Sequence, residues 1–239
     1  EAGIGFDVRV AKVPIVPAAV LFDLGVGDAK IRPNAECGYK AAKEATNGPV
    51  QEGTVGAGAG ATVGKLMGGG RAMKGGVGSA SITLSDGLTV AALVAVNAVG
   101  DVIDPATGAV IAGVRTADGK DFADARKLIR SGAIHRPPAN GQNTTIGVVA
   151  TNARLTKAQA TKVAQMAHDG LARAISPVHT MVDGDTMFSL ATGTMTQEAD
   201  LMTIGALAAD VVAEAIVRAV RQATGVPNYP AVRDIAAKH

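Results

Sequence analysis

Two apolar runs joined by a tight-turn signal constrain this chain more than any other feature. Residues 80 to 99, ASITLSDGLTVAALVAVNAV, are rich in β-branched and small apolar side chains, and Asp86-Gly87 interrupts them with a turn dipeptide. Residues 13 to 22, VPIVPAAVLF, have the same character. Both stretches read as buried strands, so the chain is expected to build its core on a β-sheet.

A chain of 239 residues, 47% of them hydrophobic, can bury a substantial core, and one α/β or α+β unit is the default. Aromatic residues make up only 3%, with no Trp, while Ala, Gly and Val dominate. That composition suits closely spaced layers and argues against stacking platforms for bases or sugars. The 23 basic and 21 acidic residues are mixed along the chain, leaving a net charge of +2 and no footprint for a phosphate backbone. Nucleic acid is therefore not expected as a partner.

The single cysteine, Cys37, has no partner for an internal disulfide and no neighbouring ligands for a metal, which fits a reducing cytoplasm. Neither a signal peptide nor a membrane span is expected. The start lacks a basic and apolar leader pattern, and the stretch from Leu201 to Val220 is interrupted by Asp210, Glu214 and Arg218.

Helical patterning is expected over residues 35 to 46, 121 to 131, from Thr156 with Val163, Met166, Ala167 and Leu171 on one face, and from about Ala199 to Thr224. Strand-like runs fall at Thr145 to Asn152 and Thr186 to Thr192. Between the first helix and residue 80 lies a glycine-rich region, Gly53 to Gly78, of the kind that can line a site. From His135 to Gln142 the sequence HRPPANGQ reads as an exposed linker.

Nucleotide motifs fail on spacing. Gly58 and Gly64 enclose one residue too many for a phosphate-binding loop, and Leu66 follows Lys65 where a hydroxyl should stand. Gly56-x-Gly58 is followed by Ala61, which spoils a dinucleotide fingerprint. His135, His168, His179 and His239 are scattered without helical ligand spacing, so no metal and no cofactor is expected, and His168 and His179 read as structural or surface residues.

At Gln142-Asn143-Thr144-Thr145 a hydroxyl residue stands where the linker meets a core strand. Cleavage of the Asn143–Thr144 bond would give Thr144 both a hydroxyl nucleophile and an α-amine base. The same residues are also an ordinary turn into a strand. Asp183-Gly184-Asp185 offers two carboxylates around a glycine, which would titrate as a coupled pair if they meet, or else form a common Asp-Gly turn. Lys65 and Asn97 can hold carboxylates ionised and stabilise an oxyanion, yet both are frequent surface or turn residues.

Four ordered stretches, KGGVGSAS (74 to 81), AVNAVGDVIDPATG (95 to 108), QNTTIGVVATN (142 to 152) and AHDGLARAISPVHTMVDGDTMFSLATG (167 to 193), closely resemble the family of L-aminopeptidase/D-esterases and β-peptidyl aminopeptidases. Among its branches the threonine and the twin aspartates look like the nylon-oligomer hydrolases, because the aminopeptidase branch tends to carry a serine nucleophile and a Ser-Gly-acid motif. The resemblance implies an α+β fold, a layered αββα sandwich of the N-terminal-nucleophile kind shared with ornithine acetyltransferase. It implies autocleavage into an α piece, residues 1 to 143, and a β piece, residues 144 to 239, which stay associated and form homo-oligomers such as a tetramer of αβ units. It puts the nucleophile on Thr144, an oxyanion-stabilising amide on Asn97, and supporting roles on Asp183, Asp185 and Lys65. Family members usually carry a further N-terminal stretch before the point where Glu1 begins, which this sequence is expected to lack.

The activity so implied is hydrolysis of amide bonds in short peptides or linear ω-amino-acid oligomers, with no cofactor, no membrane and a small-molecule or peptide substrate. The alternatives are an aminopeptidase of ordinary L-residues, acyl transfer to an amine, and a non-enzymatic scaffold that keeps only the fold.

Overall fold

The computed structural model describes residues 3, 5–134, 143–196, 198 and 200–236. In chain order these form a short pair, β1 (Phe6–Asp7) and β2 (Lys12–Val13), helix α1 (Ala35–Lys43), a second short pair, β3 (Thr62–Val63) and β4 (Met73–Lys74), and a long hairpin, β5 (Gly76–Thr83) and β6 (Thr89–Val96). They continue through β7 (Asp101–Ile103), β8 (Val110–Ala112), α2 (Ala125–Arg130), β9 (Ile146–Thr151) and α3 (Lys157–Ala174). The last elements are β10 (Ile175–Ser176), β11 (Thr186–Ala191), α4 (Leu201–Gln222) and α5 (Val232–Ala236).

The main sheet has the order β11-β9-β6-β5. The β5–β6 hairpin turns at Asp86-Gly87 as expected, with Gly76 opposite Val96 and Thr83 opposite Thr89. Strand β9 runs antiparallel to β6 and parallel to β11, the connection to β11 passing through α3. A smaller sheet has the order β10-β7-β8.

Helices α3 and α4 cover one face of the main sheet and pack against each other. Val90, Val94, Val96, Val149, Val163, Leu171, Ile204 and Ile216 fill the space between them. The glycine content has a direct use here. A Cβ on Gly78 would lie 2.0 Å from the Ala215 carbonyl oxygen, so the α4 backbone rests on β5 where no side chain intervenes. Helix α3 opens with a capping box, Thr156 accepting from the Gln159 N–H while the Gln159 side chain accepts from the Thr156 N–H, so the predicted start holds. The opposite face of the sheet carries Leu93, Val148, Phe188 and Leu190, with hollows of about 620 and 350 Å³ over it.

The reading of residues 13 to 22 as a buried strand is corrected. Only Lys12–Val13 pairs, and Ile15 is 74% exposed and Val20 83%. Pro14 and Pro17 have no N–H to give a ladder, so β-branched composition alone does not make a strand there. Helix α1 forms where expected, capped by Asn34, but buries none of its residues. The linker from His135 to Gln142 lies outside the described residues. Among the described residues no helix is long and apolar enough to cross a membrane.

Candidate active site

Three strand ends meet at one edge of the main sheet. Strand β6 ends at Val96, so Asn97 follows it, while β9 and β11 begin at Ile146 and Thr186, so Thr144 and Asp185 stand just before them. The pairing of the strands continues past their ends. The Thr144 N–H donates to the Asn97 carbonyl at 2.8 Å, the Thr186 N–H to the Thr145 carbonyl at 2.9 Å, and Asn143 bridges to Asp183. Sheet register therefore brings residues 97, 143–145 and 183–185 together.

The bond between Asn143 and Thr144 is buried at the centre of this cluster. Asn143 is 1% exposed and Thr144 6%. The Thr144 hydroxyl donates to the Asn143 carbonyl oxygen at 2.6 Å, and the Gly184 N–H donates to the same oxygen at 2.7 Å. Gly184 leaves room for this. A Cβ there would come within 3.0 Å of the Thr144 hydroxyl oxygen. The Asn143 side chain is held in turn by the Val182 carbonyl at 3.2 Å.

Lys65 arrives from the glycine-rich segment, whose backbone is tied to the residues after β6: the Lys65 N–H donates to the Val99 carbonyl and the Gly64 N–H to the Gly100 carbonyl. The Lys65 Nζ reaches the Asn97 Oδ1 at 2.7 Å and the Asn97 carbonyl at 3.3 Å. Burial pushes its pKa down from 10.5 to about 7, against the pull of Asp183 and Asp23. Near neutral pH this lysine is thus partly an uncharged amine.

Asn97 is fully buried, and its side chain is committed on both ends. Oδ1 accepts from the Thr62 N–H and from Lys65, while Nδ2 donates to the Phe22 carbonyl at 2.9 Å. In the continuous chain the Asn97 Nδ2 is engaged with the Phe22 carbonyl, and the Gly184 N–H donates to the Asn143 carbonyl oxygen.

The twin aspartates diverge. Asp183 accepts from the Val99 N–H at 3.2 Å and from the Thr180 hydroxyl at 2.6 Å. Burial raises its pKa, and the charge of Asp185 adds to the rise. Asp185 accepts from the Thr145 N–H at 2.9 Å and meets the His179 Nδ1 at 2.9 Å. Asp185 thus bonds the residue after Thr144, Asp183 bonds Val99 and Thr180, and Thr144's own hydrogen bonds go to Asn97 and Asn143.

A hollow of about 280 Å³ opens on this cluster, lined among others by Phe22, Asp23, Thr62, Lys65, Asn143 and Tyr229. Larger hollows lie elsewhere, but this one reaches Asn143. Asp23 is a residue the sequence reading missed. It brings a carboxylate to the wall of the hollow, and its charge reaches both Lys65 and the buried Lys74. His179 and Thr180, which hold the two aspartates, were also missed. Their only sequence signal is their place within the stretch 167 to 193.

Known proteins resemble the chain over most of its length. Residues 6–231 match peptidase family S58. The chain is 46% identical over 243 residues to an uncharacterized aminopeptidase of Mycobacterium leprae, covering 91% of this chain and 64% of that one. It is 30% identical over 233 residues to a 6-aminohexanoate-oligomer endohydrolase of Kocuria sp., covering 88% of this chain and 62% of the relative. It thus spans a little under two thirds of either protein. The L-aminopeptidase D-Ala-esterase/amidase of Ochrobactrum anthropi, described as a variant of the Ntn hydrolase fold, superimposes with a TM-score of 0.54 at 23% identity, over 80% of this chain and 51% of that one. The fold is accordingly Ntn-hydrolase-like, and the chain belongs to peptidase family S58.

Proposed function

We propose that the chain cuts itself between Asn143 and Thr144 and that the freed Thr144 then hydrolyses amide bonds. The observation that carries this is the pair of contacts on the Asn143 carbonyl oxygen, the Thr144 hydroxyl on one side and the Gly184 N–H on the other, 2.6 and 2.7 Å away. The hydroxyl oxygen bonds to the Asn143 carbonyl carbon, the Gly184 N–H receives the developing oxyanion, and the C–N bond breaks as the nitrogen takes up a proton. Water then hydrolyses the ester, leaving an Asn143 carboxylate and a Thr144 amine.

Before the cut there is no α-amine, and Lys65, with its pKa near 7, is the base at hand. After it, the Thr144 amine takes the proton from its own hydroxyl as that oxygen attacks a substrate amide, passes it to the leaving amine, and water resolves the acyl ester. Asp185 holds the entry to β9 through the Thr145 N–H, Asp183 holds the Val99 N–H and Thr180, and Asn97 holds Lys65 and the Thr144 nitrogen.

The substrates are short peptides or linear ω-amino-acid oligomers that end in a protonated amine, for which Asp23 supplies the charge partner in the hollow. Kinship to both an aminopeptidase and an oligomer endohydrolase supports this range. The two pieces stay together through the β6–β9 ladder, and the open apolar face of the sheet supports an αββα stack and assembly into oligomers of αβ units.

Intact mass and N-terminal sequencing test the reading. Two species are expected, the smaller beginning Thr-Thr-Ile-Gly, with Thr144→Ala yielding one uncut and inactive chain. A single uncut chain with wild-type turnover of aminohexanoate oligomers or aminoacyl nitroanilides would overturn it.

A further inference from the structure

The Asp185 carboxylate faces two ways. Its Oδ1 accepts the Thr145 N–H, one residue from Thr144. Its Oδ2 meets the Nδ1 of the His179 ring at 2.9 Å and accepts the His179 backbone N–H at 3.3 Å. The far nitrogen of that ring, Nε2, lies 3.4 Å from the Nδ1 of His168 on α3, the two rings edge to face with centroids 4.8 Å apart. The Asp185 side chain is 3% exposed and that of His179 37%, so the imidazoles connect solvent to a buried carboxylate. His179 holds a φ of 53°, a left-handed conformation uncommon outside glycine.

We propose that His179, backed by His168, is a positioning residue for this site: it fixes the Asp185 carboxylate against the Thr145 N–H, and a proton taken up by the two rings makes that grip depend on solvent pH. This rests on the function proposed above. A carboxylate only accepts, so the Nδ1 of His179 donates to it, and in the neutral ring Nε2 is left to accept from His168. One added proton puts a cation beside Asp185. A second is opposed by the first, and the neutral form of His168 is favoured by burial and then by the charge of His179, while Asp185 and Asp169 act in the other direction. The charged groups that act on the pair are Asp185 from the segment before β11 and Asp169 from α3. The protonated pair offsets the repulsion between Asp183 and Asp185, and the neutral pair leaves it in place.

Substitutions separate the two parts of the claim. His179→Asn tolerates the left-handed backbone and offers an amide N–H to Asp185, but it cannot titrate. His179→Ala removes both properties. In the self-cleaved protein His179→Ala is expected to lower kcat about tenfold, the loss of one hydrogen bond to a charged group, with KM unchanged because His179 stands outside the hollow. His179→Asn should recover most of kcat while losing the step that protonation of a histidine gives the wild-type kcat profile. Wild-type kcat in His179→Ala, or a surviving step in His179→Asn, overturns the proposal. Ring titrations followed by NMR need no activity and keep the two failures apart. In His179→Asn the His168 midpoint should rise as the charge of its neighbour is removed, and an unmoved midpoint overturns the coupling even if the wild type cleaves itself.

Discussion

Lys65 and Thr144 donate to one acceptor: the Lys65 Nζ lies 3.3 Å and the Thr144 backbone nitrogen 2.8 Å from the carbonyl oxygen of Asn97. A buried amine beside the nitrogen that must leave ties the first cut to the protonation of Lys65. With its pKa lowered to about 7, the free-amine fraction falls as pH drops through that value, and self-cleavage should slow in step. Lys65→Arg, which stays charged at every accessible pH, should leave the chain uncut. The same shift has a sign for stability. Folded Lys65 binds fewer protons than the unfolded chain between about pH 7 and 10.5, so this residue makes the fold more stable as pH rises through that window. Cleavage rates by intact mass across pH check the first statement, and denaturant melts of Lys65→Met against wild type the second.

Asn97→Asp should move that acid limb upward. A carboxylate in place of the amide would stand 2.7 Å from the Lys65 Nζ and favour the ammonium form, so cleavage would require a higher pH. Asn97→Ala should instead lower stability by about 1–3 kcal/mol, since it leaves the buried Thr62 N–H without its acceptor. Cleavage time courses and urea melts distinguish the two outcomes.

Gly184→Ala is expected to slow self-cleavage by about 10²-fold without unfolding the protein, the scale of a small misplacement at a reacting centre. The added methyl would meet the Thr144 hydroxyl oxygen at 3.0 Å. The rate of band conversion on denaturing gels reads this directly, and an unchanged rate removes Gly184 from the site.

Asp23→Asn should raise KM for substrates that end in a free amine while leaving those with a capped amine unchanged, because only the former present a cation to the carboxylate. Self-cleavage should still go to completion, with its acid limb moved to lower pH because the Asp23 charge that raises the Lys65 pKa is gone. A comparison of free and N-acetylated oligomers decides it.

Much of this was legible from local pattern. The β5–β6 hairpin with its Asp86-Gly87 turn, the capped start at Thr156 and the strand beginning after Thr144 depend on neighbours in sequence. The run from 13 to 22 misled because its β-branched residues resemble a strand while its prolines prevent pairing. Thr144, Asp183 and Asp185 stand out in sequence only because they fall in compact stretches that resemble one family. The convergence of Lys65 on Asn97 was not readable from spacing, since it depends on the β6–β9 register and on how the glycine-rich segment is pinned to Val99 and Gly100. His179 was passed over because its neighbour His168 lies on another element, and Asp23 because a lone acidic residue in an irregular segment has no pattern at all.

The main sheet draws β5 and β6 from before residue 144 and β9 and β11 from after it. A cut at Asn143–Thr144 therefore turns an internal ladder into a seam between two polypeptides. Until that moment, unfolding and refolding involve one molecule. Afterwards refolding is a bimolecular encounter, and the midpoint of unfolding acquires a dependence on protein concentration that the uncut chain lacks. A molecule activated this way would first reach its native state through its own precursor, and its pieces, once diluted apart, would return only as fast as they meet.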